Sequence, residues 1–171
     1  MNEGHHSVHP SPQVLACIRA LKTVDFELAY LALLTWEGLK PLSRWEKPLG
    51  EDRLALLGRM GLLARTVQRT VQTGKQVTET IFSLLPACVG LYEQSFAGRP
   101  VDKSAETVRL EGFLFGYPPC CVEQYAREPY APNDLPEESR GILFHWPCPN
   151  CRITPLLLPA YRKPYQIVES I

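Results

Sequence analysis

The sequence lacks an excess of charge of either sign, because its 171 residues include 18 Lys and Arg and 18 Asp and Glu. This balance favours no class of partner. It also lacks a long apolar run, since the richest one, residues 26–34, is interrupted by Glu27 and is too short to cross a bilayer. We therefore expect a protein with no membrane-spanning segment. A hydrophobic content of 45% is typical of a folded globular chain.

Two kinds of sequence signal are missing as well. The N-terminus has no basic segment followed by an apolar core, so no signal peptide is indicated and we expect a cytoplasmic protein, where disulfides rarely persist. The chain also has no phosphate-binding glycine loop and no His-Glu-x-x-His pattern. The sequence therefore predicts a site but names no reaction, and whether the protein is an enzyme stays open.

Proline and cysteine are what the sequence has in quantity, with 16 and six residues. Most prolines follow residue 85, and four of the cysteines fall in two short blocks: residues 116–121 read GYPPCC, and residues 145–151 read HWPCPNC. Pro119 suits the first turn of a helix that runs to about Arg127, which places Cys120 and Cys121 at its positive end. Thiols at that position ionise more easily, as metal ligands and redox thiols must.

The second block contains Cys148 and Cys151, whose Cys-x-x-Cys spacing lets two sulfurs face one ion. We predict a metal site, with zinc as the metal, and its candidate ligands are Cys120, Cys121, Cys148, Cys151 and His145. The first pair is adjacent rather than separated by two residues, which makes it harder for both sulfurs to reach one ion. A site of three cysteines and His145 is therefore as reasonable as a site of four cysteines.

Three other interpretations of the same cysteines stay open. They could hold an iron–sulfur cluster. They could act as a redox dithiol, since Cys-Pro-Asn-Cys is similar to the motif of thioredoxin-like enzymes, although Pro155 argues against the helix that follows that motif there. Finally, they could be buried for packing alone, which is the expectation for Cys17 and Cys88 on the apolar faces of their helices.

The first half of the chain indicates three helices, which begin near Val14, after Asp25 and at Glu51. Residues 65–84 are rich in Thr and Val around a Thr-Gly-Lys turn and predict a β-hairpin. Trp45 falls between turn signals, in a predicted loop. Three helices followed by a two-stranded ribbon is the element order of a winged helix.

We expect an α+β protein in three parts. Residues 1–12, which include His5, His6 and His9, form a flexible tail; residues 13–98 form the helical, winged-helix-like unit; and residues 99–171 form a Pro-rich unit centred on the cysteines. In the last unit we expect a short strand at 142–144 and extended chain over 156–171.

Basic residues outnumber acidic ones locally around the hairpin. Between residues 53 and 78 there are five basic residues and no acidic ones, an arrangement that could contact nucleic-acid phosphates. A solvated hairpin explains the same pattern without a partner. The residues are Arg53, Arg59, Arg65, Arg69 and Lys75.

The two cysteine blocks also carry a resemblance. Residues 111–123, which read EGFLFGYPPCCVE, with the later His-x-Pro-Cys-x-x-Cys, resemble a prokaryotic family of uncharacterised proteins that bear a Gly-Tyr-Pro-x-Cys-Cys block. The resemblance covers residues 104–155. It implies that the two blocks form one site, and it implies no substrate.

Overall fold

The computed structural model describes residues 10–171 and has the expected mixed α+β composition. Over this range it contains eight helices and one three-stranded antiparallel sheet. The histidines of the predicted N-terminal tail lie outside the described residues. No helix within 10–171 combines the length and the apolar character that crossing a membrane requires.

The first half contains the three predicted helices, α1 (Pro12–Lys22), α2 (Phe26–Trp36) and α3 (Glu51–Arg59). The side chain of Ser11 accepts a hydrogen bond from the Val14 N–H at 3.3 Å, and that of Asp25 accepts one from the Glu27 N–H at 2.8 Å. These caps satisfy backbone donors that a helix leaves free at its start. Helix α2 is buried on all sides from residue 28 to 35, so it forms the centre of the main core.

The sheet contains the predicted hairpin, β2 (Leu63–Thr70) and β3 (Gln76–Ser83), which pair antiparallel with Thr70 opposite Gln76. The expectation of a loop at Trp45 was wrong, because β1 (Ser43–Trp45) adds a third strand on the other edge of β3. Trp45 is buried there, and the free energy gained by burying its side chain offsets the weak strand propensity of the turn-prone residues around it. The winged-helix assignment stays a prediction, since the order of elements does not define how they pack.

The second half is helical, and two expectations about it were wrong. Residues 142–144 form no strand, because Ile142 is buried and its carbonyl oxygen accepts a hydrogen bond from the Tyr30 hydroxyl at 2.9 Å instead of from a neighbouring strand. Residues 156–170 are not extended chain but belong to the last helix. The helices are α4 (Pro86–Phe96), α5 (Ala105–Leu114), α6 (Pro119–Arg127), α7 (Glu137–Arg140) and α8 (Thr154–Ser170).

Helix α8 forms although Pro159 and Pro164 lie inside it. A proline inside a helix costs about 3 kcal/mol, so burial has to offset that cost. Tyr161 and Val168 are buried in the main core. The Lys22 ammonium group donates to the carbonyl oxygens of Glu169 and Ile171, at 3.0 and 2.7 Å. Helix α8 is therefore hydrogen-bonded to α1 and packed in the same core as α2.

Candidate metal centre

The structure brings the four cysteines of the two blocks into one cluster. Their sulfur atoms all lie within 4.8 Å of one another. They form the one group of three or more potential metal ligands found among residues 10–171. The Cys121 sulfur lies 3.5 Å from that of Cys151, 3.9 Å from that of Cys148 and 4.0 Å from that of Cys120. Cys120 and Cys151 are 3.8 Å apart. All six cysteines of the chain are free thiols.

The adjacent pair reaches the cluster because it opens helix α6. Pro118 and Pro119 fix the chain at the start of the helix, and Cys120 and Cys121 follow in its first turn, as expected from the sequence. Their sulfurs are 4.0 Å apart although the residues are neighbours. Adjacency therefore does not keep the two thiols apart, contrary to the difficulty expected from their spacing. The positive end of the α6 dipole lies at the cluster.

Helix α5 sets the position of α6. A Cβ atom on Gly112 would overlap both methyl carbons of Val122, so the two helices approach at a distance that only glycine permits. Gly116 ends α5 with a φ of 71°, and a Cβ there would lie 2.6 Å from Pro41. The close contacts at these two glycines therefore help to fix the position of α6, and with it that of Cys121.

The second pair lies on a tight turn over residues 148–151. The Cys151 N–H donates to the Cys148 carbonyl oxygen at 3.2 Å. Asn150 has a φ of 54°, in the left-handed region that Asn tolerates better than most residues, and Pro149 precedes it. The turn brings the two thiols to one side, as the Cys-x-x-Cys spacing predicted.

Backbone N–H groups point at two of the sulfurs. The Cys148 N–H lies 3.4 Å from the Cys121 sulfur, and the Thr154 N–H lies 3.3 Å from the Cys151 sulfur. Thr154 is the first residue of α8, so a second helix begins at the cluster. The sequence argument from Pro155 against a helix here was wrong, because proline is tolerated in the first turn. Two helix N-termini and two N–H groups favour negative charge on the sulfurs.

Burial and hydrogen bonding give the thiols of the cluster different pKa values. Burial raises the pKa of Cys121 to about 11 and also raises the pKa of Cys148. For Cys151 burial acts in the same direction, but hydrogen bonds from the hydroxyl and the backbone N–H of Thr154 outweigh it and lower the pKa to about 6. Cys151 is therefore the thiol best prepared to ionise.

His145 does not join the sulfur cluster. Its Nε2 atom lies 2.9 Å from the hydroxyl oxygen of Thr154, and that oxygen lies 3.2 Å from the Cys151 sulfur and 3.6 Å from the Cys121 sulfur. Burial, with a smaller effect of Lys40, lowers the pKa of His145 to about 4, so the ring is neutral at pH 7. The structure places His145 one hydrogen bond behind the sulfurs, as a partner of a residue that touches them.

Thr154 is the residue of this site that the sequence interpretation missed. It is fully buried, and its hydroxyl joins His145 to two of the cysteines. A signal was present in the sequence. A threonine three residues after Cys151 and directly before a proline is a typical helix start, and a helix start places the threonine beside the preceding turn.

The basic residues around the hairpin do not form one exposed surface. Arg69 is only 2% exposed, and its Nη1 atom lies 3.0 Å from Glu111 and 3.6 Å from Glu79. It is therefore occupied inside the protein and does not face a partner. Arg65 and Lys75 are exposed, and contact with nucleic acid through the remaining basic residues stays a prediction from the sequence.

Comparisons of the chain with protein-family models, with curated proteins and with solved structures give no match. The resemblance to the family with the Gly-Tyr-Pro-x-Cys-Cys block therefore stays a prediction. Its one structural implication, that the two cysteine blocks come together, agrees with the observed cluster of four sulfurs.

Proposed function

We propose that the protein binds a single metal ion, zinc, through Cys120, Cys121, Cys148 and Cys151. The observation that carries the proposal is the spacing of the sulfurs, with four of their separations between 3.5 and 4.0 Å. A metal ion about 2.3 Å from each of four sulfurs holds them about 3.8 Å apart, because that is the edge of a tetrahedron of this size. The cluster has the dimensions of such a site.

The spacing argues against a formed disulfide and against an iron–sulfur cluster. A disulfide requires two sulfurs at about 2.05 Å, and these are nearly twice as far apart. A cluster of several irons places its cysteines around bridging sulfides, so thiolates on different irons stand farther apart than the 4.8 Å that encloses all four here. A single ion fits, and soft thiolate ligands in a tetrahedron are those that zinc takes in structural sites.

The electrostatics support the same proposal. Four thiolates around a divalent ion carry a net charge of minus two, which has to be stabilised where the cluster is partly buried. The N-termini of α6 and α8 point at the sulfurs, and the N–H groups of Cys148 and Thr154 donate to two of them. A reducing cytoplasm, which the sequence leads us to expect, would keep the thiols available.

The position of the cluster suggests a role in organising the fold. It ties the start of α6 to the start of α8, and α8 packs against the core helix α2 through Tyr161 and Tyr30. A metal ion here would fasten the two cysteine blocks to the rest of the protein. Structural zinc contributes its binding energy directly to folding.

A thiol-redox protein is the second candidate, favoured by two features of the cluster. Cys120 is exposed, and the pKa of Cys151 is lowered to about 6, as an attacking thiol requires. Metal content separates the two proposals. Elemental analysis with an absorption spectrum on anaerobically purified protein should give about one zinc per chain without visible colour. A broad visible band with iron would indicate a cluster, and protein free of metal with a reactive low-pKa thiol would indicate redox chemistry.

A further inference from the structure

A cavity of about 390 Å³ lies directly beside the cysteine cluster. A function for this cavity would be additional to the proposed metal site. Cys121 and His145 contribute to its wall, so it shares two residues with the cluster and its surroundings. Its volume is within the range of cavities that hold small organic ligands. The wall is unusually aromatic, because six aromatic side chains line it: Phe115, Tyr117, Tyr125, Tyr130, Phe144 and Trp146.

The aromatic side chains at the exposed side of the cavity are held in place. The Trp146 indole N–H donates to the Ala131 carbonyl oxygen at 2.7 Å. Tyr130 lies edge-on to Trp146 with ring centroids 5.4 Å apart, and Tyr125 lies edge-on to Tyr130 at 5.3 Å. Three rings in fixed relative positions form a surface on which a flat ring could stack.

Tyr130 adopts a strained conformation to reach this position. Its φ is 63°, which is unfavourable for a bulky residue, and yet its side chain is 61% exposed. Burial of an apolar ring therefore does not compensate for the strain. Strain of this kind concentrates at binding sites, where it positions a side chain for a ligand.

The charge of the lining is unbalanced. The cavity contains the guanidinium groups of Arg44 and Arg140 and the carboxylate of Glu111. Arg44 is paired with Glu111 at 2.7 Å. Arg140 is exposed, lies over the Trp146 ring at 5.2 Å from its centre, and has no carboxylate partner among residues 10–171. One positive charge, that of Arg140, therefore remains beside the aromatic surface.

We propose that this cavity binds a flat aromatic anion, with the ring stacked among Tyr130 and Trp146 and its acidic group at Arg140. The ring of the ligand would replace water on the exposed aromatic surface of the cavity. The anion would pair with the exposed guanidinium of Arg140, which recognises carboxylates and phosphates through paired hydrogen bonds. The volume admits a ligand of one or two rings, since larger molecules exceed the size of the cavity.

The test uses the full chain as purified and two probes of the same shape, 2-naphthoate, which is anionic, and 2-naphthamide, which is neutral. Isothermal calorimetry should give saturable binding of one 2-naphthoate per chain and binding of 2-naphthamide that is at least about tenfold weaker. Arg140→Gln should weaken 2-naphthoate about tenfold and leave 2-naphthamide unchanged. Arg162→Gln, which removes an exposed arginine of α8 outside the cavity, should bind both probes as the wild type does.

Three results would contradict binding of an aromatic anion in this cavity. Equal affinity for the two probes, or binding of 2-naphthoate that is insensitive to Arg140→Gln, would overturn the proposal. So would the absence of saturable binding. Tyr130→Gly keeps the backbone conformation and removes the ring, and it should weaken both probes, because both depend on stacking. Unchanged affinity in that variant would show that the probes bind elsewhere.

Discussion

The Nε2 atom of His145 lies 2.9 Å from the hydroxyl oxygen of Thr154, which in turn lies 3.2 Å from the Cys151 sulfur. When the sulfur is a thiolate, the threonine hydroxyl donates to it, and a neutral imidazole with its proton on Nε2 donates to the threonine oxygen. In this arrangement the histidine N–H and the threonine hydroxyl each have an acceptor. The histidine therefore supports the cluster through the threonine.

Removing the threonine hydroxyl should weaken metal binding without removing a ligand. We predict that Thr154→Val lowers zinc affinity about 10- to 100-fold, because partners of metal ligands contribute on that scale. Competition with a chromogenic chelator measures the affinity. Thr154→Ser is the matched control, since it keeps the hydroxyl, and it should bind zinc within about threefold of wild type. Equal affinity in Thr154→Val and wild type would contradict the relay.

Substitution of the cysteines should divide them into two groups. Cys148→Ser and Cys151→Ser should each lose the metal and destabilise the protein, because three thiolates and one alcohol hold zinc poorly. Cys88→Ser and Cys17→Ser, which lie outside the cluster, should keep about one zinc per chain. Full metal content in Cys148→Ser would show that the two blocks do not share an ion.

The glycine contact between α5 and α6 should be essential for the position of Cys121. Gly112→Ala places a methyl group against the side chain of Val122, so we expect a loss of about 1–3 kcal/mol in the free energy of unfolding. Adding Val122→Ala makes room for the methyl group and should recover part of the loss. The control is Gly90→Ala in α4, where the added carbon meets no atom within 4 Å and should stabilise by about 0.4–1 kcal/mol. Chemical denaturation of all four proteins measures these differences.

How much of this could be predicted from the sequence depended on the range of the interactions. The start of α6 and the turn at residues 148–151 are local, so prolines and cysteine spacing indicated both. Helix α8 was missed because Pro159 and Pro164 oppose a helix locally, whereas burial of Tyr161 against α2 stabilises it from a distance. The position of His145 was missed for the same reason, since it depends on where α8 begins.

Arg69 shows the same limit for the predicted nucleic-acid surface. Its partners, Glu79 and Glu111, lie on β3 and α5, and nothing in the run of basic residues reveals them. Because the residue is buried and paired, Arg69→Ala should destabilise the protein by about 3–5 kcal/mol, which chemical denaturation would show. Arg65→Ala, on the same strand but exposed, should change stability by less than about 0.5 kcal/mol. Equal effects would contradict the internal role of Arg69.

Lys40 provides a prediction for the dependence of stability on pH. Its ammonium group donates to the Phe115 carbonyl oxygen at 3.1 Å and lies 4.6 Å from the centre of the Tyr117 ring. Burial, and then the charge of Arg44, lower its pKa to about 7. The unfolded chain keeps a lysine pKa of about 10.4, so between these values it binds more protons than the folded chain does. Stability should therefore rise with pH across this window.

Denaturation of the wild type and of Lys40→Met at several pH values isolates this effect. The difference in unfolding free energy between the two proteins should shift in favour of the wild type from pH 7 to pH 10, and it should be flat below pH 7, where lysine is protonated in both states. Other groups titrate in this range, but they do so in both proteins and cancel in the difference. A difference that stays constant from pH 6 to pH 10 would show that Lys40 has an ordinary pKa.

X-ray absorption at the zinc edge of the purified protein tests the central claim most directly, because it counts the ligands and identifies their atoms. We predict four sulfur atoms at about 2.3 Å and no second metal neighbour. One nitrogen at about 2.0 Å in place of a sulfur would mean that His145 is a ligand and would contradict the four-cysteine site. A protein that contains no metal to measure would contradict the account altogether.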